Sequence, residues 1–370
     1  MITHNKSIGS SSKEEIVDCI QTSVYDEFPL KLISLFEQFP NDSHTDFLRV
    51  LCVPYLFHEA EKIYKGKTDP ITEFKKVLQS LIQNSSELAS NKSLKHLFDA
   101  SSEKHEANLN QADVALATGI HYGNLFKDFD LMQYLEAKEL LSLRLNRNAI
   151  DLSRISEATL LDQGCGGGRY TIAWKLLGVK KAVGLDISEI GIEDARRKLE
   201  YLKLDGIEFV TGSVLDLHYA QDSFDIVYSN GVLHHTLDWE QGIREQVRVL
   251  KPGGLGWQYL IESPGGIFWD KIEILRAILK NVSKAYAQKV MAVLGVPNNR
   301  IFYMLDHVMV PINTRVTPDE LHTSLTNAGA KAIRRLERGT DFDRIEMIYQ
   351  QVPFAREKFG VGENRFVFSK

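Results

Sequence analysis

Between residues 162 and 168 the chain runs Asp162-Gln163-Gly164-Cys165-Gly166-Gly167-Gly168. Where no Cβ stands in the way, backbone N–H groups can approach a ligand closely. The spacing separates the candidate ligands. A dinucleotide fingerprint G-x-G-x-x-G counted from Gly164 needs glycine at 169, where Arg169 stands, and no Gly-Lys-Ser/Thr follows to make a P-loop. What is present is D-x-G-x-G-x-G. Asp186 lies twenty residues past Gly166, the length of one βαβ unit. A carboxylate at a strand tip accepts two hydrogen bonds from a ribose diol; the competing reading is a charge at a helix N-terminus. His234 and His235 follow Gly231-Val232-Leu233. An imidazole there can take a proton from a nucleophile, or it is an ordinary polar loop residue. Cys165 reads as a small loop residue and not a nucleophile.

These residues need elements to position them. From residue 158, β-rich runs at 158–162, 181–185, 207–211, 224–229 and 256–262 alternate with helical stretches, which predicts a parallel sheet with crossover helices. Ala332–Leu336 and Arg365–Phe368 read as later strands. Residues 1–11 read as a loose tail and 12–110 as an all-helical N-terminal domain. Its helices start at Ser12 (with Glu15 as a capping box), at Asn41-Asp42-Ser43, and at Asp69-Pro70. A helix is expected over 131–148, with Leu131, Leu135, Leu141 and Leu145 on or near one face. Residues 111–370 then form the α/β domain.

The chain has 44 Lys+Arg and 49 Asp+Glu, a net charge of −5. Residues 1–150 hold 16 basic and 21 acidic side chains, and 151–370 hold 28 of each. Neither half shows the basic excess of a nucleic-acid binder. Lys271, Arg276, Lys280, Lys284, Lys289 and Arg300 form a local basic stretch, read as a solvated helix face or an anion site. Three cysteines, Cys19, Cys52 and Cys165, fit a reducing cytoplasm and give no metal cluster. No long apolar run predicts membrane insertion and no secretory signal opens the chain, so the expected location is cytoplasmic.

Five stretches in order resemble the class I S-adenosylmethionine (SAM)-dependent methyltransferases: LLDQGCGGGRYT (160–171), VGLDIS (183–188), FVTGSVLDL (209–217), SFDIVYSNGVLHH (223–235) and VLKPGG (249–254). The chain is most similar to the branch that includes ubiquinone- and menaquinone-biosynthesis methyltransferases of small molecules. The resemblance implies a Rossmann-like α/β fold: a seven-stranded sheet, mostly parallel with the last strand antiparallel, carrying the helical N-terminal domain and a helical insertion after the fifth strand. It implies SAM as cofactor, S-adenosylhomocysteine (SAH) as product and no metal. By the same resemblance Gly164, Cys165, Gly166 and Gly168 would back the methionine part of SAM, with Asp162 near its ammonium. Asp186 would hold the ribose hydroxyls and Ile187 would pack on adenine. Ser213 stands where the family often has an aspartate for the adenine amino group, with Val214 beside it. Asn230 would line the methionine side, and Tyr122 would close over SAM.

For catalysis the candidates are His235, His234 and Tyr122. An insertion at 265–312 is expected to place Ile267, Phe268, Ile272, Ile274, Leu275 and Leu279 on one amphipathic helix and Val290, Val293 and Leu294 on a second. It would serve as a lid or as a homodimer interface, with Tyr303, Asp306, His307 and Arg315 as polar candidates for substrate contact. Thr317-Pro318-Asp319-Glu320 restarts the common pattern with a capping box. The missing Asn/Asp-Pro-Pro-Tyr, cysteine-cluster and double-glutamate motifs disfavour nucleic-acid, arsenite and protein-arginine acceptors. The expected function is methylation of a small molecule at oxygen, nitrogen, sulfur or carbon. The rivals are a tRNA or protein methyltransferase that recruits through the N-terminal helices, and a non-catalytic SAM-binding regulator.

Overall fold

A computed structural model of the chain describes residue 20 and residues 22–99 and 131–370. Within these, two compact units emerge: residues 22–99 with 264–310 and 351–360, and residues 131–263 with 311–350 and 361–370. The segment expected to belong wholly to the α/β domain, 265–312, therefore divides: residues up to 310 pack with the N-terminal helices.

The second unit is built on seven strands in chain order: β1 (Thr159–Gln163), β2 (Lys181–Asp186), β3 (Ile207–Thr211), β4 (Phe224–Asn230), β5 (Leu250–Leu260), β6 (Lys331–Arg335) and β7 (Asn364–Ser369). Their spatial order is β3-β2-β1-β4-β5-β7-β6. Strands β1 to β5 pair in parallel, while β7 runs antiparallel to both β5 and β6. β5 begins six residues earlier than expected, at Leu250, because the Pro252-Gly253-Gly254 stretch continues the strand past a register shift against Phe224/Ile226. Period-two alternation gives each sheet face its own core. Leu161, Val227, Leu260 and Phe366 point to one face with Ile243 and Val247 of the helix Trp239–Val249. Leu160, Tyr228, Trp257 and Val367 point to the other, against Ala137, Leu141 and Leu145 of the helix Leu131–Arg147. On that helix Leu135 is 41% exposed and Tyr134 is buried in its place. The Tyr134 hydroxyl donates to Gly167 O at 2.6 Å, while Leu141 and Leu145 are buried as expected.

The first unit is helical. A 3-10 turn (Thr22–Tyr25) leads to the helices Phe28–Gln38, Ser43–Lys65, Pro70–Ala89 and Lys92–Asp99. Asp42 caps the second through a reciprocal box with Thr45, and Asp69 caps the third with Pro70 at its first position. The Ser12 start lies outside the described residues. The helices Gly266–Ile278, Lys284–Val293 and Asn298–Val308 complete this unit, with the short helix Ala355–Phe359. Gly266–Ile278 is not an amphipathic surface helix. Asp270, Lys271 and Glu273 are buried along with its apolar residues. Lys271 is not solvated: its Nζ lies 4.2 Å from the Phe268 ring centroid and 4.6 Å from that of Phe57, a cation–π setting. In the next helix Val290 is buried but Val293 is 87% exposed. No helix among the described residues is long and apolar enough to cross a membrane.

Candidate active site

In an open α/β sheet, ligands bind beyond the carboxyl ends of the strands where strand order reverses. Here β1 leads outward to β2 and β3, and the chain then returns to β4 on the other side of β1. The glycine loop follows β1 at this point. Gly164 adopts φ 88°, Gly166 φ 53° and Gly168 φ 78°. A Cβ on Gly164 would stand 2.2 Å from Val232 Cγ1, so the loop lies directly on the segment that follows β4. Gly164 N and Cys165 N both donate to Leu185 O, at 2.8 and 3.0 Å.

Asp186 is oriented by the same loop. Its Oδ2 accepts from Gly166 N and its Oδ1 from Ser188 N, each at 2.8 Å. A carboxylate offers about four lone-pair positions, so each oxygen keeps capacity for one hydroxyl of a diol. Burial raises the Asp186 carboxyl above its ordinary value, and the N–H groups of Ser188, Gly166 and Ile187 oppose the rise. Asp162 is fully buried and accepts from Thr171 Oγ1 at 2.6 Å. Burial pushes it up to about 7, the Thr171 hydroxyl opposing and the Asp186 carboxylate adding. Cys165 is driven well above the thiol range by burial and by both carboxylates, which suits a loop residue and not a thiolate nucleophile. Ile187 is largely exposed beside Asp186. Ser213 Oγ accepts from Leu215 N at 3.2 Å and Val214 is buried after it. The glycine cradle and the diol-ready carboxylate fit an adenosyl cofactor.

Beyond β4, Asn230 Oδ1 accepts from Trp257 Nε1 at 3.3 Å. His234 is buried; its Nδ1 accepts from Ile261 N at 3.3 Å, and its carbonyl accepts from Thr314 N at 2.9 Å. His235 is half-buried, with Nδ1 2.7 Å from Ile312 O. A carbonyl only accepts, so this nitrogen carries the proton and the neutral ring has its lone pair on Nε2. The two imidazoles meet edge to face with centroids 4.0 Å apart.

Sequence reasoning missed the wall next to them. Tyr259 of β5 pairs with Asn230 in register and packs 6.1 Å from the His234 ring. Its hydroxyl accepts from Arg344 Nη2 at 3.4 Å, and the Arg365 guanidinium lies 4.8 Å from its ring centroid. Arg344 is clamped by Glu262 at 2.8 Å and Glu363 at 3.4 Å. Burial followed by the Glu262 charge raises Tyr259 above the usual phenol range, so it stays protonated. No local motif announces this cluster. Only the antiparallel pairing of Leu260 with Asn364 brings Glu363 beside the end of β5.

Arg315 belongs to this unit and donates from Nε to Glu262 O at 3.3 Å. Tyr303, Asp306 and His307 lie on the helix Asn298–Val308 of the other unit. There His307 Nδ1 is 2.8 Å from Tyr303 O and its ring packs 5.6 Å from Trp269. Tyr122 lies outside the described residues. Among the described residues no group of three or more His, Cys, Asp or Glu is arranged to hold a metal ion.

Residues 161–257 match the family described as a methyltransferase domain. A 27-O-demethylrifamycin SV methyltransferase of Amycolatopsis mediterranei is 35% identical over 127 residues, covering 33% of this chain and 46% of that protein. A demethylmenaquinone methyltransferase of Lactococcus lactis is 30% identical over 135 residues, covering 36% and 54%. The chain spans about half the length of these relatives. Among solved structures, a putative S-adenosyl-L-methionine-dependent methyltransferase from Methanococcus maripaludis aligns over 73% of this chain and 97% of its own, at 17% identity and a TM-score of 0.40.

Proposed function

We propose that this chain, whose residues 161–257 match a methyltransferase domain family, is a class I enzyme that transfers a methyl group from SAM to a small-molecule acceptor and releases SAH. The carrying observation is the pairing of the positive-φ loop at Gly164, Gly166 and Gly168 with the Asp186 carboxylate, each oxygen of which already holds one backbone N–H. The two relatives, named for a rifamycin and for a menaquinone precursor, support a small organic acceptor.

SAM, when bound, supplies an electrophilic methyl on a sulfonium. The protein's own work is alignment of the acceptor and removal of any proton it must lose. The Gly164–Gly168 loop would back the methionine part of SAM and Asp186 would hold its ribose. His235, with its tautomer set by Ile312 O, can accept a proton at Nε2 on the β4 side. Tyr259, kept neutral and oriented by Arg344, forms the neighbouring wall.

Calorimetric titration with SAM tests the reading. Asp186→Ala removes charged hydrogen bonds worth about 1.5–3 kcal/mol each, so affinity should fall roughly 10- to 150-fold. Equal SAM affinity in wild type and variant sinks the assignment.

A further inference from the structure

One face of the sheet carries a polar row where apolar packing is the rule. Gln163, Ser229 and Gln258 alternate with the outer-face residues and so share the face of Leu161, Val227 and Leu260. Ser229 pairs with Gln258 in register, and Gln163 stands one step beyond the Asp162–Tyr228 pair. Gln246 reaches the same face from the helix Trp239–Val249. All four side chains are 0% exposed.

Their amide nitrogens are engaged. Gln163 Nε2 donates to Val214 O and Gly242 O, Gln246 Nε2 to Trp257 O and Val227 O, and Gln258 Nε2 to Tyr259 O. Flipping any of these amides would set oxygen against oxygen, so the orientations are fixed. No protein donor reaches Gln163 Oε1, Gln246 Oε1 or Gln258 Oε1, and Ser229 Oγ has no partner either. Buried acceptors are rarely left unpaired in folded proteins, and a polar interior site of this kind is where internal water is held.

We infer that this face binds ordered internal water, at least two molecules among the Gln163, Ser229, Gln246 and Gln258 side chains. The donor count requires it. Three amide oxygens need protons and no protein donor reaches them, the Ser229 hydroxyl included, so water must supply all three, which takes at least two molecules. A metal cation fits poorly, since every ligand is neutral and none offsets an added charge. Gln163, Ser229 and Gln258 immediately precede Gly164, Asn230 and Tyr259. The water thus lies behind the floor of the crevice, whatever the crevice binds.

Oxygen-17 magnetic relaxation dispersion on the full chain counts long-lived internal water. A Gln163→Met/Gln258→Met variant should lose at least one molecule's worth of amplitude and melt no higher than wild type. Unchanged amplitude overturns the inference. So does a variant that melts several degrees higher, the sign expected when dry, unpaired oxygens are removed. Should the variant not fold, a high-resolution crystal structure of the wild type grown with rubidium decides. A water-sized peak about 3 Å from these oxygens supports the inference. No peak, or one with rubidium's anomalous signal, refutes it.

Discussion

Burial lifts the Asp162 carboxyl to about 7 from an ordinary 3.8, and the sign of its effect on stability follows. An unfolded chain ionises this group near 3.8, while the folded chain keeps its proton up to about 7. Between those values the folded state binds more protons, so this group's contribution to stability falls as pH rises through the window. Asp162→Asn mimics the neutral form and should remove that fall; urea midpoints at pH 5 and pH 8 check it. Equal pH slopes in variant and wild type would count against a raised carboxyl. His235 makes a different prediction. On an acceptor that must lose a proton, His235→Gln should lower turnover roughly 10²- to 10⁴-fold, the range for a lost general base. SAM affinity should stay within about twofold if the ring, held at Nδ1 by Ile312 O, acts on the acceptor and not on the cofactor. Radiolabelled methyl transfer beside calorimetry separates the two effects, and full turnover by the variant would remove His235 as base.

Among elements, the turn after β1 is the least tolerant of change. Gly164→Ala adds strain at φ 88° and a Cβ 2.2 Å from Val232, so SAM affinity should drop more than tenfold. Gly253 is the control: its φ is 72°, but a Cβ there meets nothing within 4 Å. Gly253→Ala should carry only the backbone penalty of about 1–2 kcal/mol, read as a lower melting temperature with SAM affinity kept. If both variants bind SAM alike, the close approach of loop and Val232 is unimportant. The turn was legible because its signal is local: glycines, Asp162 and Asp186 fall within one βαβ unit. The caps at Asp42, Asp69 and Thr317 were legible for the same reason, each being a three- or four-residue pattern. On the helix Leu131–Arg147 the periodicity identifies Leu141 and Leu145 as buried but not Tyr134, because the contact it makes comes from Gly167, 33 positions away. Tyr259, Arg344, Glu262 and Glu363 were invisible for a stronger version of that reason: an antiparallel strand from the end of the chain assembles them.

At the scale of the molecule, the chain leaves the sheet after Ser263 and again after residue 350, and both excursions join the N-terminal helices. Sequence periodicity identifies such helices but not their partners, which is why 265–312 read as part of the α/β domain. Their packing explains the assignment. Phe268 and Lys271 lie against Phe57 and Tyr64, and the Tyr25 hydroxyl donates to Asp270 Oδ2 at 2.6 Å. The clusters on the two sheet faces, in contrast, draw no side chain from between Leu260 and Val316. The stubs of the first excursion are held together without it: Ser263 N donates to Val316 O at 3.0 Å, and Glu262 bridges Val316. Replacing residues 265–310 with a short glycine-serine linker should therefore spare the sheet. SAM affinity should stay within a few-fold of wild type by calorimetry. The helices between residues 28 and 89 should lose protection, because Phe57 and Tyr64 lose the apolar surface that covers them. Hydrogen exchange should show faster exchange there and unchanged protection in β1, β4 and β5. Collapse of SAM binding, or fast exchange spreading into those strands, would mean that the sheet depends on the excursion.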